Sequence, residues 1–196
     1  MSQVAAQPMT ATAADVAGAI VRAYSTLKGA PPPSNTSWLY PLALSSNETA
    51  GWTSFYNYNL GNITTSGQNV DWYLNPHVTN GLKFRSYSSL DAGALGMLKT
   101  LASDGGLAAA DAGDEGAFQT ALNAYLGGAT YPNLSALISR LSSTVPSSGS
   151  VLPPISIPPQ AAPIALVAAI GFLAVAAVNL IDPTILPKWA RISIPT

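Results

Sequence analysis

Ala43-Leu-Ser-Ser-Asn-Glu-Thr-Ala-Gly-Trp52, followed a few residues later by Tyr58-Asn-Leu-Gly-Asn-Ile63, is the stretch on which the reading of this chain turns. The apolar run from Trp38 to Asn47 predicts a buried helix, and it ends at a single glutamate, Glu48. A turn of small residues follows. Gly51 to Gly61 is then dense in rings and carboxamides: Trp52, Phe55, Tyr56, Asn57, Tyr58 and Asn59. A plain core seldom has this mixture, but a glycan-cleaving site does. A carboxyl group at the end of a buried helix, beside aromatics, has its charged form disfavoured. Its pKa rises, and it can hold a proton to donate to a glycosidic oxygen. Aromatic faces stack on sugar rings, and carboxamides bond to hydroxyl and N-acetyl groups. The plainer alternative is that Glu48 caps its helix or pairs with Arg85. A lone glutamate near a core in a chain this poor in charge favours chemistry over that alternative.

Working outward toward the N-terminus, Val16, Ala17, Ile20, Tyr24 and Leu27 recur at helical spacing from Ala13 onward. Gly29 and the run Pro31-Pro32-Pro33 stop that helix. Residues 1–11 are polar and alanine-rich and read as a flexible lead. They lack the basic and apolar regions of a signal peptide. Toward the C-terminus, Asn62 to Tyr87 carries Gly67, Asn75-Pro76 and Asn80-Gly81, which predicts a small β-hairpin lobe. Three helices follow. Ser88 is placed to cap the first in a capping box with Asp91, and Leu90, Ala94, Leu95, Leu98 and Leu101 form its stripe. Asp114 is placed to cap the second, with Phe118, Leu122 and Tyr125 on one face. The third begins near Pro132 and shows Leu134, Leu137, Ile138 and Leu141. The expected fold is therefore mainly α (α+β), with the folded domain over 12–143.

Composition narrows the function. Charged residues make up 9% of the chain and hydrophobic ones 48%, and the formal net charge is −1. An average soluble protein is roughly 25% charged. No basic footprint for nucleic acid is present. Without cysteine there are no disulfides and no thiol chemistry, and one histidine, His77, cannot build a multi-histidine metal site. Neither a metal nor a cofactor is expected. Residues 144–163 are rich in serine and proline and read as a semi-extended linker. Ile164 to Ile181 is apolar throughout except for Asn179. As a helix it would span about 27 Å, near the lower limit for a bilayer core. It is expected to cross a membrane or to anchor the chain in a protein assembly. Lys188 and Arg191, in the tail over 182–196, then place the C-terminus on the cytoplasmic or lumenal side, with the domain on the wall side.

The blocks Glu48-Thr-Ala-Gly-Trp52 and Tyr58-Asn-Leu-Gly-Asn62 resemble the glucosaminidase/lysozyme-like peptidoglycan hydrolases, a group that includes flagellar glucosaminidases and phage virion lysins. A second block, Leu82-Lys-Phe-Arg85-Ser-Tyr87-Ser-Ser-Leu90-Asp-Ala-Gly93, resembles that family's strand entering a helix. A third, Thr130-Tyr131-Pro-Asn-Leu-Ser-Ala-Leu137, resembles its last cleft turn. The likeness covers roughly Trp38 to Leu141. It implies a lysozyme-like domain acting on the β-1,4 glycan strand of peptidoglycan, with Glu48 as the catalytic acid. Trp52, Tyr58, Asn59, Asn62, Tyr87, Tyr125 and Tyr131 are the implied substrate-binding set. Gly128 stands where the family carries an aromatic residue, which leaves that role to Tyr125 or Tyr131. Asp71 is the hairpin's one candidate for a second carboxylate, although a solvated turn residue is the commoner role for such an aspartate. Hydrolysis and lytic transglycosylation both stay open at this point. So do a virion-associated lysin, a cellular membrane-anchored wall-remodelling enzyme, and a non-catalytic wall-binding or structural virion protein. The expected partners are peptidoglycan and, through 164–181, a membrane or other virion proteins.

Overall fold

The computed structural model describes residues 2–65, 68–78, 80–125, 131 and 133–145. The chain divides into two units, Met1–Ser150 and Val151–Thr196. The linker from residue 146, the apolar segment 164–181 and the tail 182–196 lie outside the described residues. Among the described residues, no helix is long and apolar enough to cross a membrane.

The first unit is mainly helical, with two small antiparallel sheets. Its first helix, α1 (Ala13–Lys28), opens on a capping box: the Thr12 hydroxyl accepts from the Asp15 N–H, and the Asp15 carboxylate accepts from the Thr12 N–H. It closes on Gly29 at φ 71°, a left-handed conformation that glycine adopts without steric cost. The second, α2 (Thr36–Glu48), is apolar around most of its circumference, as expected of a helix enclosed on all sides. Trp38, Leu39, Tyr40, Leu42, Ala43 and Leu44 are all buried. Pro41 sits inside it and removes one helix hydrogen bond.

Around α2 stand α1, α4 (Gly106–Ala112) and α6 (Leu134–Thr144), while α3 (Leu90–Ser103) packs along α1 and α5 (Glu115–Tyr125) packs against α4. Val145, just past α6, is still buried in the core. The folded domain therefore reaches slightly beyond the boundary expected from composition.

Three expectations need correction. The cap of α3 is Ser89, whose side chain accepts from the Ala92 N–H, not Ser88. Asp91 does not complete a capping box. It accepts two bonds from Arg22 of α1, at 2.7 and 2.9 Å, and so ties α3 to α1. Residues 2–9 are not a loose lead. Pro8–Met9 forms β1 and pairs antiparallel with β2 (Phe55–Tyr56), and Gln3 bridges to Trp72. The backbone groups of this segment find partners on the hairpin lobe and the loop after α2, and these bonds hold it in place. Four helices, not the expected three, follow the hairpin among the described residues, because α4 begins at Gly106, directly after a second glycine, where a Gly-Gly pair ordinarily marks a loop.

The hairpin lies where the turn residues placed it. β3 (Trp72–Leu74) pairs antiparallel with β4 (Lys83–Arg85) in the register Tyr73 to Phe84, and both of those rings turn inward. Lys83 extends over the Trp72 ring, 4.3 Å from its centroid.

Candidate active site

Glu48 is the last residue of α2, and the loop after it folds back onto the helix end. The Thr49 hydroxyl donates to the Ser45 carbonyl at 2.7 Å and accepts from the Trp52 N–H at 3.1 Å. The Trp52 indole N–H donates to the Ser45 hydroxyl at 3.0 Å. Helix carbonyls that would otherwise lack partners are met from within the loop.

Between positions 50 and 62 this loop holds five non-glycine residues at positive φ: Ala50, Trp52, Asn57, Tyr58 and Asn62. Each costs roughly 1–2 kcal/mol for a residue with a Cβ, asparagine least. Strain of this kind persists only where the surroundings over-determine it, and it gathers at functional sites.

Three asparagines supply that determination. The Asn57 side chain accepts from the Gln7 N–H at 2.6 Å and donates to the Ala5 carbonyl and the Ser86 hydroxyl. It joins the N-terminal segment to the exit of the hairpin. Asn59, fully buried, accepts from the Ile63 N–H and donates to the carbonyls of Ile63 and Arg85. It closes the loop on itself and onto β4. Asn62 reaches the acid: its side-chain N–H group donates to the Glu48 backbone carbonyl at 2.6 Å and to Glu48 Oε2 at 3.0 Å.

Burial pushes the Glu48 carboxyl up from 4.5 to about 7, and the bond from Asn62 works in the opposite direction. Arg85 does not neutralise the carboxyl. The Arg85 Nε–H donates to the Thr64 carbonyl, and Arg22–Asp91 is the ion pair found among the described residues.

Tyr125, from α5, stands close enough to feel the carboxylate. Its hydroxyl is held well above its ordinary range, first by burial and then by the Glu48 charge. That hydroxyl donates to the Gly61 carbonyl at 2.5 Å. A side chain at Gly61 would run into it, which explains a glycine at a position of ordinary backbone conformation.

The other residues named from the sequence divide. Trp52 is 5% exposed with its indole N–H engaged, and Asn59 is 0% exposed with its carboxamide engaged at both ends. Neither can offer a face to a ligand, so both are corrected from substrate contacts to supports of the loop. Asp71 stands just before β3 on the surface and accepts from the Ser2 N–H and hydroxyl at 2.8 and 3.0 Å. Those bonds hold its carboxyl below its ordinary value. It contributes nothing to the charge environment of Glu48. Its position is that of a tether for the N-terminal segment.

Tyr58 is half-buried, and its carbonyl packs against α3 where only Gly93 leaves room. Tyr87 lies against Gly96 of α3, and burial raises its hydroxyl above the ordinary value while Arg85 acts in the opposite direction. Tyr131 is half-buried on the core, and its hydroxyl has no hydrogen-bond partner among the described residues. Among the described residues, no three His, Asp or Glu side chains gather to hold a metal ion.

The sequence by itself assigns no individual role to Asn57 or to the tight glycines Gly61 and Gly93. The density of asparagine between Asn57 and Asn62 was the available signal. No family model matches the chain, and no curated protein or solved structure matches it.

Proposed function

We propose that this chain cleaves the β-1,4 glycan strand of peptidoglycan, with Glu48 as the general acid. The observation that carries the reading is the carboxyl of Glu48 itself. It is raised to about 7 at the end of a buried helix, in contact with one carboxamide and, among the described residues, with no cation. A group that holds its proton near neutrality can give it to a leaving oxygen and take one back afterwards. The likeness of three sequence blocks to lysozyme-like peptidoglycan hydrolases supplies the substrate class. The mainly helical α+β domain is compatible with it.

A single-carboxylate route is favoured, because Asp71 is engaged with Ser2 and exposed. In that route Glu48 protonates the glycosidic oxygen as the C1–O bond breaks. The 6-hydroxyl of the same sugar then bonds to C1, and its proton returns to Glu48. The product is an anhydro sugar and no water is consumed, which makes the enzyme a lytic transglycosylase. The virion or membrane setting, with the domain on the wall side and 164–181 as the anchor, is part of the same proposal.

The second reading, a non-catalytic wall-binding or structural virion protein, draws on one observation: Trp52 and Asn59 are withdrawn from the ligand-facing set. Digestion of purified peptidoglycan by the natural chain and by Glu48→Gln decides between the two. No release of fragments by the natural chain would remove the enzyme reading, and equal release by both would remove Glu48 as its acid.

A further inference from the structure

Asn62 contacts Glu48 twice, yet nothing in its own backbone conformation favours that placement. It sits at φ 49° in a strained loop, directly after a glycine. What fixes the Gly61–Asn62 peptide comes from elsewhere in the fold. The Tyr125 hydroxyl, from the far end of α5, donates at 2.5 Å to the Gly61 carbonyl, and that carbonyl belongs to the peptide carrying the Asn62 N–H.

We infer that Tyr125 is a positioning residue for the acid: through its hydroxyl bond to Gly61 it aims the Asn62 carboxamide at Glu48 and so holds the carboxyl in balance between its two protonation states. This inference rests on the proposed role of Glu48, but its physical content is a charge state that can be read without substrate.

Burial disfavours the carboxylate and, unopposed, would raise the Glu48 carboxyl further. A hydrogen bond donated by Asn62 stabilises the charged form and draws the balance back. Tyr125 stays neutral at these pH values and brings no charge of its own. Besides Glu48 itself, the ionisable groups near Tyr125 are Tyr87, Arg85 at the end of β4 and Asp104 at the end of α3. None of them acts on Glu48 directly, whose surroundings are set by burial and by Asn62. Removing the Tyr125 hydroxyl should therefore move Glu48 only by releasing Asn62.

The chain suits a direct test because it has two glutamates, Glu48 and Glu115. With glutamate labelled at the side-chain carboxyl carbon, each gives one resonance, and Glu48→Gln identifies which is which. The full chain is titrated without substrate, in its natural form and as Asn62→Ala, Tyr125→Phe and the double variant. Asn62→Ala should raise the Glu48 midpoint by about one pH unit, the size of one hydrogen bond to a charged group. Tyr125→Phe should raise it in the same direction. The double variant should move it no further than Asn62→Ala alone, since both changes act through one bond. A Glu48 midpoint unchanged in Tyr125→Phe, or shifts that add in the double variant, would overturn the inference.

If Tyr125→Phe fails to fold, the unaltered chain still answers. A hydroxyl proton donated to a part-buried carbonyl should exchange slowly with water, and rapid exchange would remove the bond on which the inference stands. Failure of the enzyme reading looks different: the midpoints shift as expected while peptidoglycan stays intact.

Discussion

The carboxamide NH2 of Asn62 serves two oxygens of Glu48: the backbone carbonyl at 2.6 Å and the carboxylate Oε2 at 3.0 Å. The first bond caps the end of α2, and the second adjusts the charge of the residue that ends it. Helix termination and acid tuning are thus done by the same side chain. A change at Asn62 should disturb both, and the charge effect should be the larger of the two.

Replacing the acid gives the plainest outcome. Glu48→Gln keeps the shape of the side chain and removes the transferable proton. Release of glycan fragments should fall by about 10²–10⁴-fold, the usual contribution of a positioned acid or base. Turbidity loss of purified peptidoglycan measures it, with a melting curve as the control for folding. A variant that digests as fast as the natural chain would leave Glu48 with no catalytic role.

The same group makes stability depend on pH, and the sign can be worked out. The unfolded carboxyl titrates near 4.5 and the folded one near 7. Between those values the native state keeps a proton that the unfolded state has lost, so stability falls as pH rises. Below pH 4.5 nothing is lost, and above 7 the full cost is present, up to about 3 kcal/mol. Glu48→Gln has no charge to bury. Its denaturant midpoint should exceed that of the natural chain by more at pH 8 than at pH 5. Parallel curves for the two proteins across that window would contradict the raised value.

Asp71 provides the control on mechanism. Its carboxylate is engaged by Ser2 on the surface, so Asp71→Asn should leave glycan cleavage within a factor of about three, far from the loss expected of a catalytic carboxylate. Mass spectrometry of the products should then show the anhydro sugar. A collapse of activity in Asp71→Asn, with reducing ends formed from water, would restore the two-carboxylate route.

Asn59 should behave unlike Asn62 although the two lie three residues apart. Asn59→Ala strips partners from the Ile63 N–H and from the carbonyls of Ile63 and Arg85, in a fully buried position. The expected loss is about 2–4 kcal/mol in urea denaturation. Asn62→Ala, half-buried, should cost far less stability. Equal losses at both sites would mean that the division into a loop clamp and an acid partner is misplaced.

How much of this was legible beforehand follows from the kind of signal each element leaves. Regular periodicity marked α1, α3, α5 and α6, and continuous hydrophobicity marked α2 with Glu48 at its end. The helix α4 leaves little periodicity: it is short, begins at Gly106 and is mostly alanine. The strand β1 is two residues long and has no alternation to read. The loop after Glu48 is the deeper case. Its composition shows that rings and carboxamides gather there, but which of them face inward depends on left-handed residues such as Ala50, Trp52 and Asn57. Nothing in residue type signals positive φ at a tryptophan. Composition therefore predicts ligand contacts at Trp52 and Asn59, where the fold uses them to hold the loop, and the Tyr125–Gly61 bond spans 64 positions with no local trace.

The contact between Tyr125 and Gly61 yields a prediction about suppression. A methyl group at position 61 would collide with the Tyr125 hydroxyl, while its other neighbours, Met97 Cγ at 3.1 Å and Tyr125 Cζ at 3.4 Å, are a flexible side chain and an ordinary contact. Gly61→Ala should therefore destabilise the domain by about 1–3 kcal/mol through overpacking. Adding Tyr125→Phe removes the colliding oxygen and should recover most of that loss. At Gly93 no such rescue exists, because the added methyl would strike the Tyr58 backbone carbonyl, which no substitution removes. Gly93→Ala should stay severely destabilised in any Tyr58 background. Melting curves of Gly61→Ala, Gly61→Ala with Tyr125→Phe, and Gly93→Ala with Tyr58→Ala test the set. Recovered stability without recovered tuning would complete the argument: in the rescued double variant the Glu48 midpoint should remain high, because the hydroxyl that aimed Asn62 is gone. If instead the double variant melts no higher than Gly61→Ala alone, the close approach of α5 to the loop after Glu48 is not what keeps position 61 a glycine.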